Sequence, residues 1–325
     1  MPDPVTQAPN LYALLIGIDC YMPNRLPNGS CYKSLGGCVR DIQHVEAFLK
    51  DMRKVPDTQI LKLTASNPTD GSSQPPEPTA QLPTRQNMVD SFRKLGEMAP
   101  AGAQVYIHYS GHGGRAKTIY PQLKGTDEID EGLVPTDIGT SEGQYLRDLE
   151  LTQLLKELAD KPLFVTLVLD CCHSGGQTRG EADIRGMDVE DDKPFHASHE
   201  PVAPLEVLAS TWQALHGGGT RGLKAGGVPE STDYLVFAAC RPNEFAMEFS
   251  FNRETKEKNG ALTYWLLDTL KQPYPGQPTK ICTIALMPRS IASLLNKRPC
   301  CWEERSQNLW QRARRGCLCR AGDER

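Results

Sequence analysis

Short apolar runs, each closed by polar, Gly or Pro residues, alternate along this chain with stretches in which apolar residues return every three or four positions. Leu11-Tyr-Ala-Leu-Leu-Ile-Gly-Ile18 is the first run. A strand with no polar face has nothing to offer water, so it belongs inside a parallel sheet covered on both sides. Residues 59–63, 103–109, 163–169 and 234–239 read as further strands. Between them, Val39, Ile42, Val45, Phe48 and Leu49 recur at helical spacing with Asp41 in the opening turn, and Thr84 caps a helix to about Leu95. Residues 149–158 and 260–270 form two more helical patterns. This alternation predicts an α/β fold whose central, mostly parallel sheet carries helices on both faces.

Two segments break the rhythm. Residues 65–83 are rich in Pro, Ser, Thr and Gly and read as an exposed loop, and residues 177–232 as a long mobile segment. Composition then narrows the function. The 325 residues allow two domains or one large one, and 39% hydrophobic with 23% charged residues and a net charge of -4 is ordinary for a soluble globular protein. No basic field calls for a nucleic-acid partner, and no apolar stretch reaches the ~18 residues of a membrane span. With no secretory signal pattern at the N-terminus, a cytoplasmic or nuclear location is expected, and the 11 cysteines are expected as thiols. No Cys-x-x-Cys pair exists, so zinc spacing is absent.

In an open parallel sheet the site lies at the carboxyl ends of the strands. The third strand ends in Ser110-Gly-His-Gly-Gly114 and the fourth in Asp170-Cys-Cys-His-Ser-Gly-Gly176, which brings His112 and a cysteine to adjacent strand ends as base and nucleophile. Alternation along the strand turns Cys171 and Cys172 to opposite faces, and these residues alone leave either sulfur as the nucleophile. His108, inside the third strand, reads as a packed structural residue.

Tyr109-Ser-Gly-His-Gly113 and Leu169-Asp-Cys-Cys-His-Ser-Gly175 together resemble the catalytic pair of the caspase-like cysteine peptidases, above all the metacaspases of fungi, plants and protozoa. Ala13-Leu-Leu-Ile-Gly-Ile18, Leu35-Gly-Gly-Cys-Val-Arg-Asp41, Asp130-Glu-Gly-Leu-Val-Pro-Thr-Asp137, the segment from Phe237 to Glu248 and Asn259-Gly-Ala-Leu-Thr-Tyr264 extend the resemblance over roughly residues 10–270. It implies a caspase-like three-layer α/β/α sandwich and a cysteine endopeptidase that cuts after Arg or Lys through a thioester. Cys172 is then the nucleophile and His112 the general acid/base, with the amides of Gly113 and Cys172 holding the oxyanion. Asp41, Ser110 and Asp170 are the implied specificity pocket, in which carboxylates suit a guanidinium or ammonium. The implied partners are protein substrates with Arg or Lys at the cut bond, taken by a monomer. No cofactor is required for the chemistry. Calcium is an expected activator in many members, with Asp130 and Asp148 as matching carboxylates, but Thr178 and Arg179 stand where another carboxylate would be, which leaves calcium open.

The same resemblance divides the chain into a short N-terminal extension (1–10), a large-subunit-like part (11–176), a linker (177–232), a small-subunit-like part of the same domain (233–285) and a tail (286–325). Arg179, Arg185, Lys193, Arg221 and Lys224 are basic points at which the linker could be cut by the enzyme itself. The tail resembles nothing in the family. Read in a shifted frame, the codons behind Asn296-Lys-Arg-Pro-Cys-Cys-Trp-Glu303 permit Gln-Thr-Pro-Met-Leu-Leu-Gly, close to the family's usual ending, so a shifted frame is the expected origin of the tail. The alternative to an enzyme is a catalytically weak or inactive caspase-like scaffold.

Overall fold

The computed structural model describes residues 10–125, 128–172, 183–186, 200–216, 234–239, 246–251, 254 and 256–271. In chain order its elements are β1 (Leu11–Ile18), α1 (Cys38–Ala47), β2 (Ile60–Ala65), α2 (Arg85–Met98), β3 (Gln104–Ser110), β4 (Gly113–Lys117), α3 (Pro121–Lys124), β5 (Ile129–Leu133), β6 (Leu146–Arg147), α4 (Asp148–Asp160), β7 (Phe164–Asp170), β8 (Asp183–Ile184), α5 (Leu205–His216), β9 (Tyr234–Ala238), β10 (Met247–Ser250), β11 (Lys258–Gly260) and α6 (Ala261–Lys271). Five strands form one sheet in the order β2-β1-β3-β7-β9, and every neighbouring pair is parallel.

Strand alternation explains the layers. Leu11, Ala13 and Leu15 of β1, Tyr106 of β3 and Val168 of β7 point to the face covered by α1 and α6, against Ile42, Val45, Leu262 and Leu266. Leu14, Ile16, Val105, Ile107, Leu167 and Leu169 point to the other face, where Val89, Phe92, Leu154, Leu155 and Leu208 from α2, α4 and α5 receive them. Both faces are dry, as the apolar runs predict, and each fully buried Leu or Ile contributes about 1.5–3 kcal/mol. This is the three-layer α/β/α arrangement expected from the sequence. Thr84 caps α2 as expected, its Oγ1 accepting the Asn87 amide at 3.2 Å.

The register places the site. Gly17 pairs with Ser110 and Ser110 with Asp170, so β1, β3 and β7 end at the same height. Whatever follows Ser110 and Asp170 by two residues is therefore brought to neighbouring positions. Two small antiparallel sheets sit at this end: β4-β5-β6, which starts at Gly113, and β8-β10-β11.

The sequence pattern carried none of these short strands. It also treated residues 177–232 as without regular structure, and that expectation is corrected. Leu205–His216 is a helix with Leu208 and Thr211 buried, and Thr211 donates to Gln153 of α4. Twelve residues free of Gly and Pro after Pro204 were the signal for it. The tail 286–325, the linker positions Arg179, Lys193, Arg221 and Lys224, and residues 1–9 lie outside the described residues. Among the described residues no helix is long and apolar enough to cross a membrane, and no cysteine forms a disulfide.

Candidate active site

His112 and Cys172 each follow the last residue of their strand by two positions, on the paired neighbours β3 and β7. The His112 loop is pinned from three sides. Its amide donates to the Tyr21 hydroxyl at 2.7 Å, its carbonyl accepts from the Tyr109 hydroxyl at 2.7 Å, and its ring packs against those of Tyr21 and Tyr32, with centroids 4.9 and 5.3 Å away. Gly111 is glycine for a steric reason, since a Cβ there would run into the Tyr109 and Tyr21 hydroxyls. His112 Nε2 lies 2.7 Å from the Lys33 carbonyl. A carbonyl can only accept, so Nε2 carries the proton and Nδ1 is the basic atom of the neutral ring. A base oriented in this way by a third group is the arrangement that nucleophilic catalysis uses.

The two adjacent sulfurs part company, as alternation requires. Cys171 lies in the core with Leu167 and Leu169, and burial pushes its thiol far above the ordinary range. Cys172 faces the other way and packs on Ala246. Its amide and that of Gly113 converge on a single oxygen, the carbonyl of Arg185, at 3.0 and 3.2 Å. Two N–H groups aimed at one carbonyl oxygen can stabilise negative charge developing on it.

Beside them lies an acidic pocket built from helix starts and strand ends. Asp41 in the first turn of α1, Ser110 at the end of β3 and Asp170 at the end of β7 are all fully buried. Asp41 accepts from Ser110 Oγ at 2.7 Å, from Asn259 Nδ2 at 3.0 Å and from the Gly260 amide. Asp170 Oδ2 accepts from Thr263 at both its amide (2.8 Å) and hydroxyl (2.6 Å), which satisfies an amide left open at the start of α6. Gly260 must lack a side chain, because a Cβ would overlap the Asp170 carboxylate and the Arg185 guanidinium. Burial pushes the Asp41 carboxyl up, to about 7, against the opposing pull of Arg185 and its hydrogen-bond donors.

The pocket holds Arg185. Its Nη1 donates to Ser110 Oγ at 2.8 Å and to the Asp170 carbonyl at 3.2 Å, and lies 3.3 Å from Asp170 Oδ1. Nη2 donates to Asp41 Oδ2 at 2.9 Å and lies 3.4 Å from Glu248 Oε2. The expectation that Arg185 is an exposed linker position is therefore corrected: its side chain is 0% exposed. His108 is packed, as expected from its place inside β3. Its burial lowers its pKa to about 4, and it joins Tyr106 (2.8 Å) to Thr263 Oγ1 (2.9 Å).

Asp130 and Asp148, expected to face calcium, are brought together, but around an ammonium group of the chain. Lys124 Nζ lies 2.7 Å from Asp130 Oδ1 and 2.8 Å from Asp148 Oδ2, and Arg147 Nη1 lies 2.9 Å from Asp130 Oδ2. Calcium takes six to eight oxygens. Two carboxylates already neutralised by two buried cations do not fit it, and no group of three or more His, Cys, Asp or Glu suited to a metal occurs among the described residues.

Sequence reasoning singled out Asp41, Ser110, Asp170, His112 and Cys172, which the structure brings to one end of the sheet, but assigned no part to Lys33, Glu248, Asn259, Gly260 or Thr263. The family model described as metacaspase, peptidase C14 domain, matches residues 12–178. The chain is 32% identical over 163 residues to Metacaspase-1 of Mycosarcoma maydis, covering 50% of this chain and 35% of that protein. Metacaspase-1 of Schizosaccharomyces pombe is 27% identical over 283 residues, covering 80% and 60%, and Metacaspase-6 of Arabidopsis thaliana 31% over 213 residues, covering 60% and 50%. The chain thus spans from about a third to three fifths of the length of these relatives.

Proposed function

From its membership of the metacaspases, the peptidase C14 domain family to which this chain belongs, we propose that it is a cysteine endopeptidase that hydrolyses peptide bonds after Arg or Lys. The observation that carries the reading is the closed acidic pocket of Asp41, Ser110 and Asp170, which accepts a guanidinium beside the two amides of Gly113 and Cys172. An arginine side chain of a substrate would complete the same contacts, and its carbonyl would lie on the same two donors.

The chemistry needs only groups of the chain and water. His112 Nδ1 takes the Cys172 proton, and the thiolate adds to the substrate carbonyl. The oxyanion is held by the Gly113 and Cys172 amides. His112 then protonates the leaving amine, and water hydrolyses the thioester. The reading includes a monomeric enzyme with protein substrates and no cofactor in the bond-breaking steps.

Peptide amides with Arg, Lys or Asp at the scissile position test it. Turnover is expected for Arg and Lys and not for Asp, and Cys172→Ala should lower kcat/KM by about a thousandfold or more. Equal turnover by wild type and Cys172→Ala removes the assignment and leaves the scaffold reading.

A further inference from the structure

The base and one of the two oxyanion donors are joined by a single peptide unit. His112 supplies the ring, and the bond to its neighbour carries the Gly113 N–H, which meets the Cys172 amide at one carbonyl oxygen. A trans peptide is planar, and its C=O and N–H point in opposite directions. Whatever holds the His112 carbonyl therefore aims the Gly113 N–H. Glycine at 113 has no Cβ to oppose rotation of that plane, so the aim rests on the partners of the carbonyl.

Two donors reach that carbonyl: the Tyr109 hydroxyl at 2.7 Å and the amide of Val134, just after β5, at 3.2 Å. The hydroxyl makes the shorter bond and is itself fixed. Tyr109 is fully buried in the core, and its hydroxyl is hydrogen-bonded to that of Tyr21, which accepts the His112 amide at 2.7 Å. Each hydroxyl has one proton to give, which sets the directions. Tyr21 takes the His112 N–H and gives its proton to Tyr109, and Tyr109 gives its own to the His112 carbonyl. These bonds close a ring that begins and ends on His112. Gly111 leaves room for it, since a Cβ there would lie 2.7 Å from the Tyr109 hydroxyl oxygen and 2.9 Å from that of Tyr21. A tyrosine buried only for packing needs some acceptor for its proton, and the Val134 carbonyl, 3.1 Å away, would serve. Packing does not require the nearer acceptor to be the carbonyl of the peptide that carries an oxyanion donor.

We propose that Tyr109 is a positioning residue for the oxyanion: its hydroxyl locks the 112–113 peptide and so keeps the Gly113 N–H aimed at the charge that develops on the substrate carbonyl. This rests on the peptidase reading above and adds to it a group that acts through another. The carbonyl of a bound substrate is a weak acceptor and the oxyanion a strong one, so a donor that is poorly aimed is felt mainly in the transition state. The loss then falls on kcat rather than on KM.

The test compares wild type, Tyr109→Phe and Tyr109→Met as full chains. Three probes are used: an Arg peptide amide, the same peptide ending in an aldehyde, and its alcohol, to which no thiolate can add. Losing an oxyanion donor outright costs about 10²–10³ in kcat. With the Val134 amide still on the carbonyl, Tyr109→Phe should lower kcat about ten- to thirtyfold and leave KM within about twofold. Addition of Cys172 to the aldehyde puts an oxygen on the two amides, so affinity for the aldehyde should fall about tenfold while affinity for the alcohol holds. The midpoints of the pH profile of kcat/KM should stay in place, because the hydroxyl sits on neither His112 Nδ1 nor Cys172 Sγ. Tyr109→Met, which also lacks the hydroxyl, should behave alike. A kcat equal to that of wild type overturns this inference and leaves the peptidase reading standing. Equal losses of aldehyde and alcohol affinity, or a shifted pH profile, place the hydroxyl with the pocket or the base and overturn it too. Failure of both variants to fold gives the hydroxyl to the core and has the same consequence. A wild type that hydrolyses no Arg peptide overturns both readings.

Discussion

At the scale of single residues, the pocket is governed by hydrogen bonds whose directions can be assigned. Asp170 can only accept, so the Thr263 hydroxyl donates to it; that hydroxyl must then accept from His108 Nε2, which leaves Nδ1 of a neutral ring to accept from Tyr106. The chain of bonds puts a proton on Nε2, and burial, which lowers the His108 pKa to about 4 against the upward pull of Asp170, keeps the ring neutral. A histidine depressed in the folded state stabilises in full above its unfolded pKa and loses that stability as pH falls toward the folded value. Acidification from pH 7 to 4 should therefore cost wild type about 2–3 kcal/mol more than His108→Gln, measured as the difference between their urea-unfolding free energies. Parallel pH profiles would refute the assignment. Asp41 has the opposite sign. Its carboxyl, raised to about 7, is fully ionised only above that value, so KM for an Arg peptide should rise as pH falls below about 7. Asp41→Asn should flatten that dependence and, lacking a charge-assisted bond of about 1.5–3 kcal/mol, lower kcat/KM ten- to a hundredfold at pH 8.

At the scale of elements, α3 matters more than its four residues suggest. It delivers Lys124 between Asp130 of β5 and Asp148 at the start of α4, with the Lys124 side chain 3% exposed. Losing one partner of a buried ion pair costs about 3–5 kcal/mol. Lys124→Ala should therefore be destabilised by about that amount in thermal or denaturant unfolding, while turnover of the wild type should be the same with a chelator as with added calcium. Activity that depends on calcium in the wild type would contradict the part given to Lys124. The same elements explain what could be read from sequence. His112 and Cys172 follow the ends of strands with strong apolar periodicity, so their neighbourhood followed from the pattern, whereas Asp41, Ser110 and Asp170 were grouped only by the resemblance to the metacaspases. Glu248 and Asn259 come from strands of four and three residues, and Arg185 directly follows a strand of two, all too short for any period to register, and their places depend on long-range pairing. The part played by Lys33 was invisible for another reason: its contribution is a main-chain carbonyl, which any residue could supply.

At the scale of the whole molecule, the stretches of sequence on either side of Gly186 build a single fold. Everything before it supplies β1, β2, β3 and β7; everything after it supplies β9, which pairs with β7 from Val165 opposite Tyr234 to Leu169 opposite Ala238. The later piece also places Phe237, Leu262, Leu266 and Leu267 in the core beneath α1, and Leu208 in the core beneath α4. Its Asn259 and Gly260 hold Asp41, and its Thr263 holds Asp170. These contacts do not pass through the 186–187 bond. Burying a Leu or Phe side chain gives about 1.5–3 kcal/mol each, so several buried side chains together with a strand pairing should hold the two pieces as one particle. A protein assembled from separate chains 1–186 and 187–325 is therefore expected to elute in gel filtration at the volume of the unbroken Cys172→Ala chain, and to separate into two species only in denaturant. Its activity should survive dilution under native conditions, because Asp41 and Asp170 lie on one piece and Asn259, Gly260 and Thr263, which donate to them, on the other. Leu266→Ala, which removes a buried side chain of α6 at a cost of about 2–5 kcal/mol, should let the pieces part at lower denaturant concentration and take the activity with them. Pieces that separate in native buffer would mean that the sheet does not join them as its register requires.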